Sequence, residues 1–342
     1  MTPLGLFGSS RPRAADEAMD TQILAALQAG LGEVQLPSTD GDAVVASYRR
    51  VLLRHPELFW VGPGCTTVRQ GALGGRIRLQ PAISGTPSQI RLQRERLESA
   101  VSAILARVPG IWPPYKKAIV LHDYLVEHTS YDKAVAASID RDPTRMRAPS
   151  ASTAYGCLVE HRAVCAGYAC AYQLLLERAG IDCLRVKGQS VSGGGHEWNC
   201  VCLDGKWANV DVTWDDPGVD GSSEELLSHA FFCVPDAELR ETHRPDPGSQ
   251  LPACVSPELD YFRLRGQYLL RYDAAQVAKH LAKLRQGESL ELKFGSPQER
   301  QRAVDALFTR KEIFKMRGAF GQIRRYQCLT GRNKRVLRMT VW

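Results

Sequence analysis

Residues 163–216, AVCAGYACAYQLLLERAGIDCLRVKGQSVSGGGHEWNCVCLDGKWANVDVTWDD, decide how the whole chain is read. Ala166, Tyr168, Ala169, Ala171, Tyr172, Leu174, Leu175 and Leu176 predict a helix apolar on most sides, with Cys165 at its start and Gly180 placed to cap its end. A helix of that composition is buried, which sinks the cysteine to the base of a cleft. Strands follow at Cys183–Gln189 and His196–Leu203. Asp204-Gly205 is then a strong hairpin signal that returns Lys206–Thr213 antiparallel.

The hairpin sets a register. With Asp204 and Gly205 as the turn, Leu203 faces Lys206, Cys202 faces Trp207, Cys200 faces Asn209 and Trp198 faces Asp211. His196 shares the face of Trp198, so Asp211 is its diagonal neighbour, roughly 7–8 Å away at the backbone and within side-chain reach. A thiol at a helix start is acidified by the free N–H groups and the dipole, and an adjacent imidazolium acidifies it further. Gly167 is expected to keep the backbone open for a substrate. Singly, Cys165 reads as structural and His196 with Asp211 as an incidental surface pair. Together, each on the element its role requires, they read as nucleophile, base and orienting group.

The 342 residues suggest about two domains, and 44% hydrophobic with 24% charged content is ordinary for a globular chain. No window approaches the roughly 18–20 apolar residues of a membrane span. The first twenty residues lack a secretory pattern, so a cytoplasmic location is expected. Ten cysteines include no CxxC pair, so neither a disulfide framework nor a zinc ribbon is expected. No metal or other cofactor is expected, and the Asp215-Asp216-Pro217 corner reads as turn chemistry rather than a calcium site. The net charge of +7 is uneven, with 19 Lys and Arg against 6 Asp and Glu from Tyr261 to Trp342. That asymmetry fits a basic domain docked on an acidic remainder, or one that meets an anionic partner. A nucleic-acid partner is not expected, since no aromatic-and-glycine RNA signature accompanies the charge.

Taken in order, residues 1–41 read as a polar lead and residues 42–110 as an N-terminal α+β region. That region comprises a helix at Asp42–Arg54, a break at HPELFWVGPG, a strand at Arg76–Ile83 and a helix from Ser88. Residues 111–218 form the core. A helix after Pro113-Pro114 carries His122, read as a hydrogen-bonded core histidine, and residues 132–154 read as an exposed loop that is either a lid or a connector. Residues 219–259 are a Pro-rich connector. Residues 260–342 are a basic α+β domain, with a hairpin at YFRLR-GQ-YLLRY, helices after Asp273 and Ser296, and strands at Glu288–Phe294, Ile323–Leu329 and Arg335–Trp342.

The segments VCAGYACAYQLLLERAGIDCLRVKG and GGHEWNCVCLDGKWANVDVTWDDP resemble the core of the transglutaminase-like superfamily. HPELFW, YKKAIVLHDYLVEHTSYD and YGCLVEHRAVCAGYA are similar to bacterial multi-domain members, so the likeness spans roughly residues 42–295. It implies an α+β, papain-like core in which a buried helix carries the cysteine and an antiparallel sheet carries the histidine and aspartate. The N-terminal α+β region and the small C-terminal α+β domain flank that core. By position it makes Cys165 the nucleophile, His196 the base and acid, and Asp211 the orienting group. Glu197 departs from the alanine common after that histidine.

The implied chemistry is acyl transfer on peptide or protein amide bonds through a thioester, with hydrolysis slightly favoured over transfer to an amine. The oxyanion would be met by the Cys165 N–H and a side-chain donor, for which Tyr155 is the nearest option, and Trp198 and Trp214 would wall the cleft. The alternative is a catalytically idle peptide-binding or scaffold module on the same fold.

Overall fold

The computed structural model describes residues 14–70, 75–142, 146–220 and 227–342. Its first part consists of α1 (Ala14–Gln28), β1 (Val34–Leu36), α2 (Gly41–Arg54), β2 (Val61–Gln70) and β3 (Arg76–Ile83). The strands form an antiparallel sheet in the order β1-β3-β2, and Ile23, Leu27, Leu36, Val44, Tyr48 and Leu79 make its core. The lead expected to be polar is therefore ordered from Ala14. Its fully buried large apolar residues, Ile23 and Leu27, give too thin a stripe to read in isolation, and packing on α2 makes the helix worthwhile. Residues 1–13 lie outside the described residues.

The strand β2 was not expected, because Gly62, Pro63 and Gly64 read as breakers. Their purpose is close approach: a Cβ at Gly62 would lie 2.1 Å from the Met146 carbonyl oxygen, and Gly64 donates its N–H to that carbonyl at 3.2 Å.

The central part begins with α3 (Pro87–Leu105), opened by a reciprocal cap between Thr86 and Gln89, and α4 (Pro114–His128). Next come β4 (Ser130–Tyr131), α5 (Lys133–Arg141), α6 (Ala154–Leu158), β5 (Arg162–Ala163) and α7 (Cys165–Arg178), with β4 and β5 paired in parallel. The expected loop over 132–154 thus contains α5, capped by Asp132, which accepts from Val135 N at 3.0 Å. None of its residues is fully buried. Its apolar side faces the cleft instead of the core, which is why no core-type periodicity announces it.

The helix α7 is buried from Gly167 to Leu176. It ends as expected: Gly180 has φ +80°, and Ile181 N donates to Leu176 O at 2.9 Å. It lies against β6 (Cys183–Ser190) and β7 (Gly195–Leu203), which continue into β8 (Lys206–Val210), α8 (Val212–Asp215), β9 (Phe232–Val234), α9 (Asp236–Leu239) and β10 (His243–Pro245). The antiparallel sheet order is β10-β6-β7-β8-β9. Both edge strands come from residues expected to be connector.

The β7–β8 register is the derived one, with Cys202 opposite Trp207 and Cys200 opposite Asn209, and Asp204 and Gly205 both at positive φ as the turn requires. Strand β8 stops at Val210 rather than Thr213, because Asp211 turns to cap α8 by accepting from Trp214 N at 3.2 Å.

The last part runs α10 (Tyr261–Leu264), β11 (Tyr268–Leu269), α11 (Ala274–Leu281), β12 (Ser289–Phe294), α12 (Pro297–Val304), β13 (Arg317–Gly318), β14 (Gly321–Gln322), β15 (Tyr326–Leu329) and β16 (Val336–Val341). Its main sheet has the order β11-β12-β16-β15. The hairpin expected at 261–272 is instead a helical turn followed by a strand parallel to β12. Asp260 accepts from Phe262 N and Arg263 N, so the cap outweighs the alternating pattern. Lys293 on β12 is fully buried and pairs with Glu238 at 2.6 Å and with Asp260. Arg335 pairs with Glu241 at 2.5 Å. Basic residues of the C-terminal part therefore meet acidic residues ahead of it. Among the described residues, no helix is long and apolar enough to cross a membrane.

Candidate active site

Cys165 is the first residue of α7 and is partly exposed. Val164, at the N-cap, offers no side chain to the free amides of the first turn, so their partial positive charge faces the thiol. Gly167 does not serve the substrate as expected. A Cβ there would lie 2.3 Å from the Ala151 carbonyl oxygen, so the glycine lets the incoming chain cross the helix start.

His196, near the beginning of β7, places Nε2 2.7 Å from Asp211 Oδ2, and the Cys165 side chain is among the groups that favour its charged ring. A carboxylate can only accept, so Nε2 carries a proton and Nδ1 is left for the sulfur. Burial works against the charged imidazole, but Asp211 and the Cys165 contact outweigh it and push His196 up to about 10. Burial likewise works against the Asp211 carboxylate, yet the two histidines on it hold it well below the usual carboxylate range. At neutral pH the pair is an imidazolium on a carboxylate, with the thiol on the other side of the ring.

Asp211 has further partners. Oδ1 accepts from Trp214 N, and Oδ2 also lies 3.0 Å from Nε2 of His243, a wholly buried residue on β10. His243 lacked any signal in the sequence. It sits in a Pro-rich stretch without periodicity, and only the pairing of His243 with Ser190 brings β10 to the sheet.

The three residues proposed from the sequence border one cleft of about 570 Å³ or lie directly behind it. Its walls include Phe59 from the N-terminal part, Ile139 of α5, Trp214 of α8, and Arg332 from the C-terminal part. Arg332 stands over the Trp214 ring at 4.9 Å, and Trp214 lies 4.9 Å from the His196 ring. Trp214 thus lines the cleft.

Trp198 and Tyr155 do not. Trp198 is 1% exposed and packs beside His243 at 4.9 Å, in a buried cluster with Phe231, Leu239 and Cys254 that covers it. Tyr155 is 4% exposed in the core and stacks on Phe59 at 4.9 Å, so it is no oxyanion donor. Ser152, by contrast, lines the cleft, and its buried hydroxyl has no hydrogen-bond partner among the described residues. Glu197 is held by Arg185 at 3.4 Å and Lys187 at 3.5 Å.

Among the described residues, two groups of ligand-type atoms converge, His196–Asp211–His243 and His122–Asp123–His229. In both, imidazole–carboxylate hydrogen bonds account for the convergence, so neither is assigned as a metal centre. His122 is the core histidine expected, bonded to Asp123 at 2.9 Å and Asp215 at 3.1 Å.

Residues 103–212 match the sequence profile of the transglutaminase-like superfamily. The chain is 30% identical to human kyphoscoliosis peptidase over 159 residues, which are 42% of this chain and 21% of that protein. It is 28% identical to the mouse protein of the same name over 194 residues, 50% and 26% respectively. The chain therefore spans about a quarter of the length of the curated relatives it matches. A crystal structure of a TGase aligns with a TM-score of 0.31 and 14% identity, covering 53% of this chain and 50% of that one. Residues 103–212, which end one residue beyond Asp211, are thus the part of this chain that matches the transglutaminase-like superfamily.

Proposed function

We propose that the chain is a thiol-dependent acyl-transfer enzyme acting on peptide or protein amide bonds. The observation that carries the reading is the continuous set of contacts from Cys165 through His196 to Asp211 at the edge of a walled cleft. The Cys165 thiolate attacks the amide carbonyl carbon, and the π pair moves to oxygen. The Cys165 N–H at the start of α7 and the Ser152 hydroxyl are the donors for that oxygen. His196 gives its proton to the departing amine nitrogen as the C–N bond breaks, leaving a thioester on Cys165. The neutral ring then takes a proton from water, whose oxygen attacks the thioester and expels the thiolate. An amine in place of water gives a new amide.

Hydrolysis is the favoured outcome, because the cleft is open to water and the relatives with curated names are called peptidases. The experiment is mass spectrometry of a glutamine-containing and a generic peptide library with and without added primary amine. Cleaved peptides support hydrolysis, and amine adducts support transfer. Neither product, or products undiminished by Cys165→Ala, overturns the reading.

A further inference from the structure

The proposed triad has a fourth member. We infer that His243 is a positioning residue of the same site, whose ring donates through Nε2 to Asp211 and so fixes the carboxylate that orients His196. The inference rests on the reading of Cys165, His196 and Asp211 given above.

The geometry supports it in three ways. First, Asp211 Oδ2 is shared: His196 Nε2 lies at 2.7 Å and His243 Nε2 at 3.0 Å, while Oδ1 is taken by Trp214 N at 3.2 Å. A buried carboxylate with three donors cannot rotate without breaking one, so the direction it imposes on the His196 ring is fixed. Second, the His243 ring is itself clamped. Its centroid lies 4.9 Å from Trp198, 4.4 Å from Trp214 and 5.6 Å from Phe231, and Thr242 Oγ1 is 2.8 Å from Nδ1. The backbone is placed as tightly, since a Cβ at Gly188 would lie 2.2 Å from the Arg244 carbonyl oxygen and 2.8 Å from Trp198. Third, the two rings on Asp211 are pushed apart in basicity. Burial, opposed by Asp211 and reinforced by the His196 charge, lowers His243, whereas His196 is raised to about 10.

One proton therefore resides on the ring that meets the thiol, and the other ring stays neutral. Asp211 and His196 are the titratable side chains that face His243. With Nε2–H committed to Asp211, a neutral ring requires Nδ1 to accept the Thr242 hydroxyl, whose one hydrogen then goes to the ring at 2.8 Å and not to the Leu239 carbonyl oxygen at 3.1 Å. The arrangement gives the carboxylate a second fixed donor without a second positive charge 5.3 Å from the His196 ring.

The test needs no substrate. The rate of iodoacetamide alkylation of Cys165, mapped by peptide mass spectrometry, is followed from pH 4.5 to 10 in the full chain and in His243→Leu, His243→Gln, Thr242→Val and His196→Ala. His243→Leu fills the space without a donor. It is expected to lower the pH 6 rate at least about tenfold and to move the acid limb upward, by analogy with the tenfold to hundredfold losses seen when the partner that orients a metal-bound histidine is removed. His243→Gln keeps an N–H at a similar reach and cannot ionise, and it should stay within about threefold of wild type.

If His243→Leu matches wild type, or His243→Gln loses as much as His243→Leu, the ring serves packing alone and the inference is overturned. Should His243→Leu fail to fold, Thr242→Val carries the test. A smaller shift of the same sign supports the inference, and an unchanged profile overturns it. Failure of the underlying reading looks different: wild-type Cys165 would then alkylate like an ordinary thiol and be indifferent to His196→Ala, and both claims would fall.

Discussion

At the residue scale, the proposed chemistry depends on which groups are charged at neutral pH. His196 is pushed up to about 10 and His122 to about 9, each from the usual 6.5, and in both the carboxylates outweigh burial. A histidine whose folded pKa is raised stabilises the fold fully below its unfolded pKa and loses that contribution as pH rises through the folded value. The thermal midpoint should therefore fall progressively between about pH 6.5 and 10. Asp211, held low, works in the opposite sense, contributing above the usual 3.8 and losing that contribution as pH falls through its depressed folded value. Calorimetry across the alkaline interval checks this, and a flat midpoint would show that neither ring is charged. The three sequence-derived residues could be placed at this scale because each depends on local rules: a helix start for Cys165 and a hairpin register for His196 and Asp211. His243 depends on a strand pairing between residues more than fifty positions apart, which no local rule supplies.

At the scale of elements, the same division holds. The helix α7 and the β7–β8 hairpin are legible because an apolar run, Gly180 and Asp204-Gly205 all agree. The helix α5 and strand β2 are not, since one turns its apolar side to a cleft and the other opens with glycines required by a passing chain. The first turn of α7 shows what such crossings demand. Gly167 faces the Ala151 carbonyl so closely that Gly167→Ala must displace residues 150–152 or the helix start. The expected cost is about 1–3 kcal/mol of overpacking, although alanine is otherwise the better helix residue. Urea unfolding measures it, and a neutral or stabilising substitution would mean the crossing is loose. The same change should slow Cys165 alkylation, because the strained turn carries the sulfur.

At the scale of the whole molecule, the cleft is shared. Phe59, Ile139, Trp214 and Arg332 come from four separate stretches of the chain, so the C-terminal part is a wall of the site as well as an appendage. Lys293, buried between Glu238 and Asp260, fastens that part in place. Removing one partner of a buried pair strands the others, so Lys293→Met should cost about 3–5 kcal/mol, read by urea unfolding. A loss near zero would show that Glu238 and Asp260 are hydrated or protonated instead. Composition alone suggested that basic residues would meet acidic ones, but not which ones or that Arg332 would arrive over Trp214. The most direct test of acyl transfer is the mass of the full chain milliseconds after mixing with p-nitrophenyl acetate, with the modified residue mapped after acid quench. The account predicts a burst in which Cys165 alone gains an acetyl group as a thioester that then turns over, absent from Cys165→Ala and strongly slowed in His196→Ala. An acetyl group carried elsewhere, or a burst undiminished in Cys165→Ala, would contradict it.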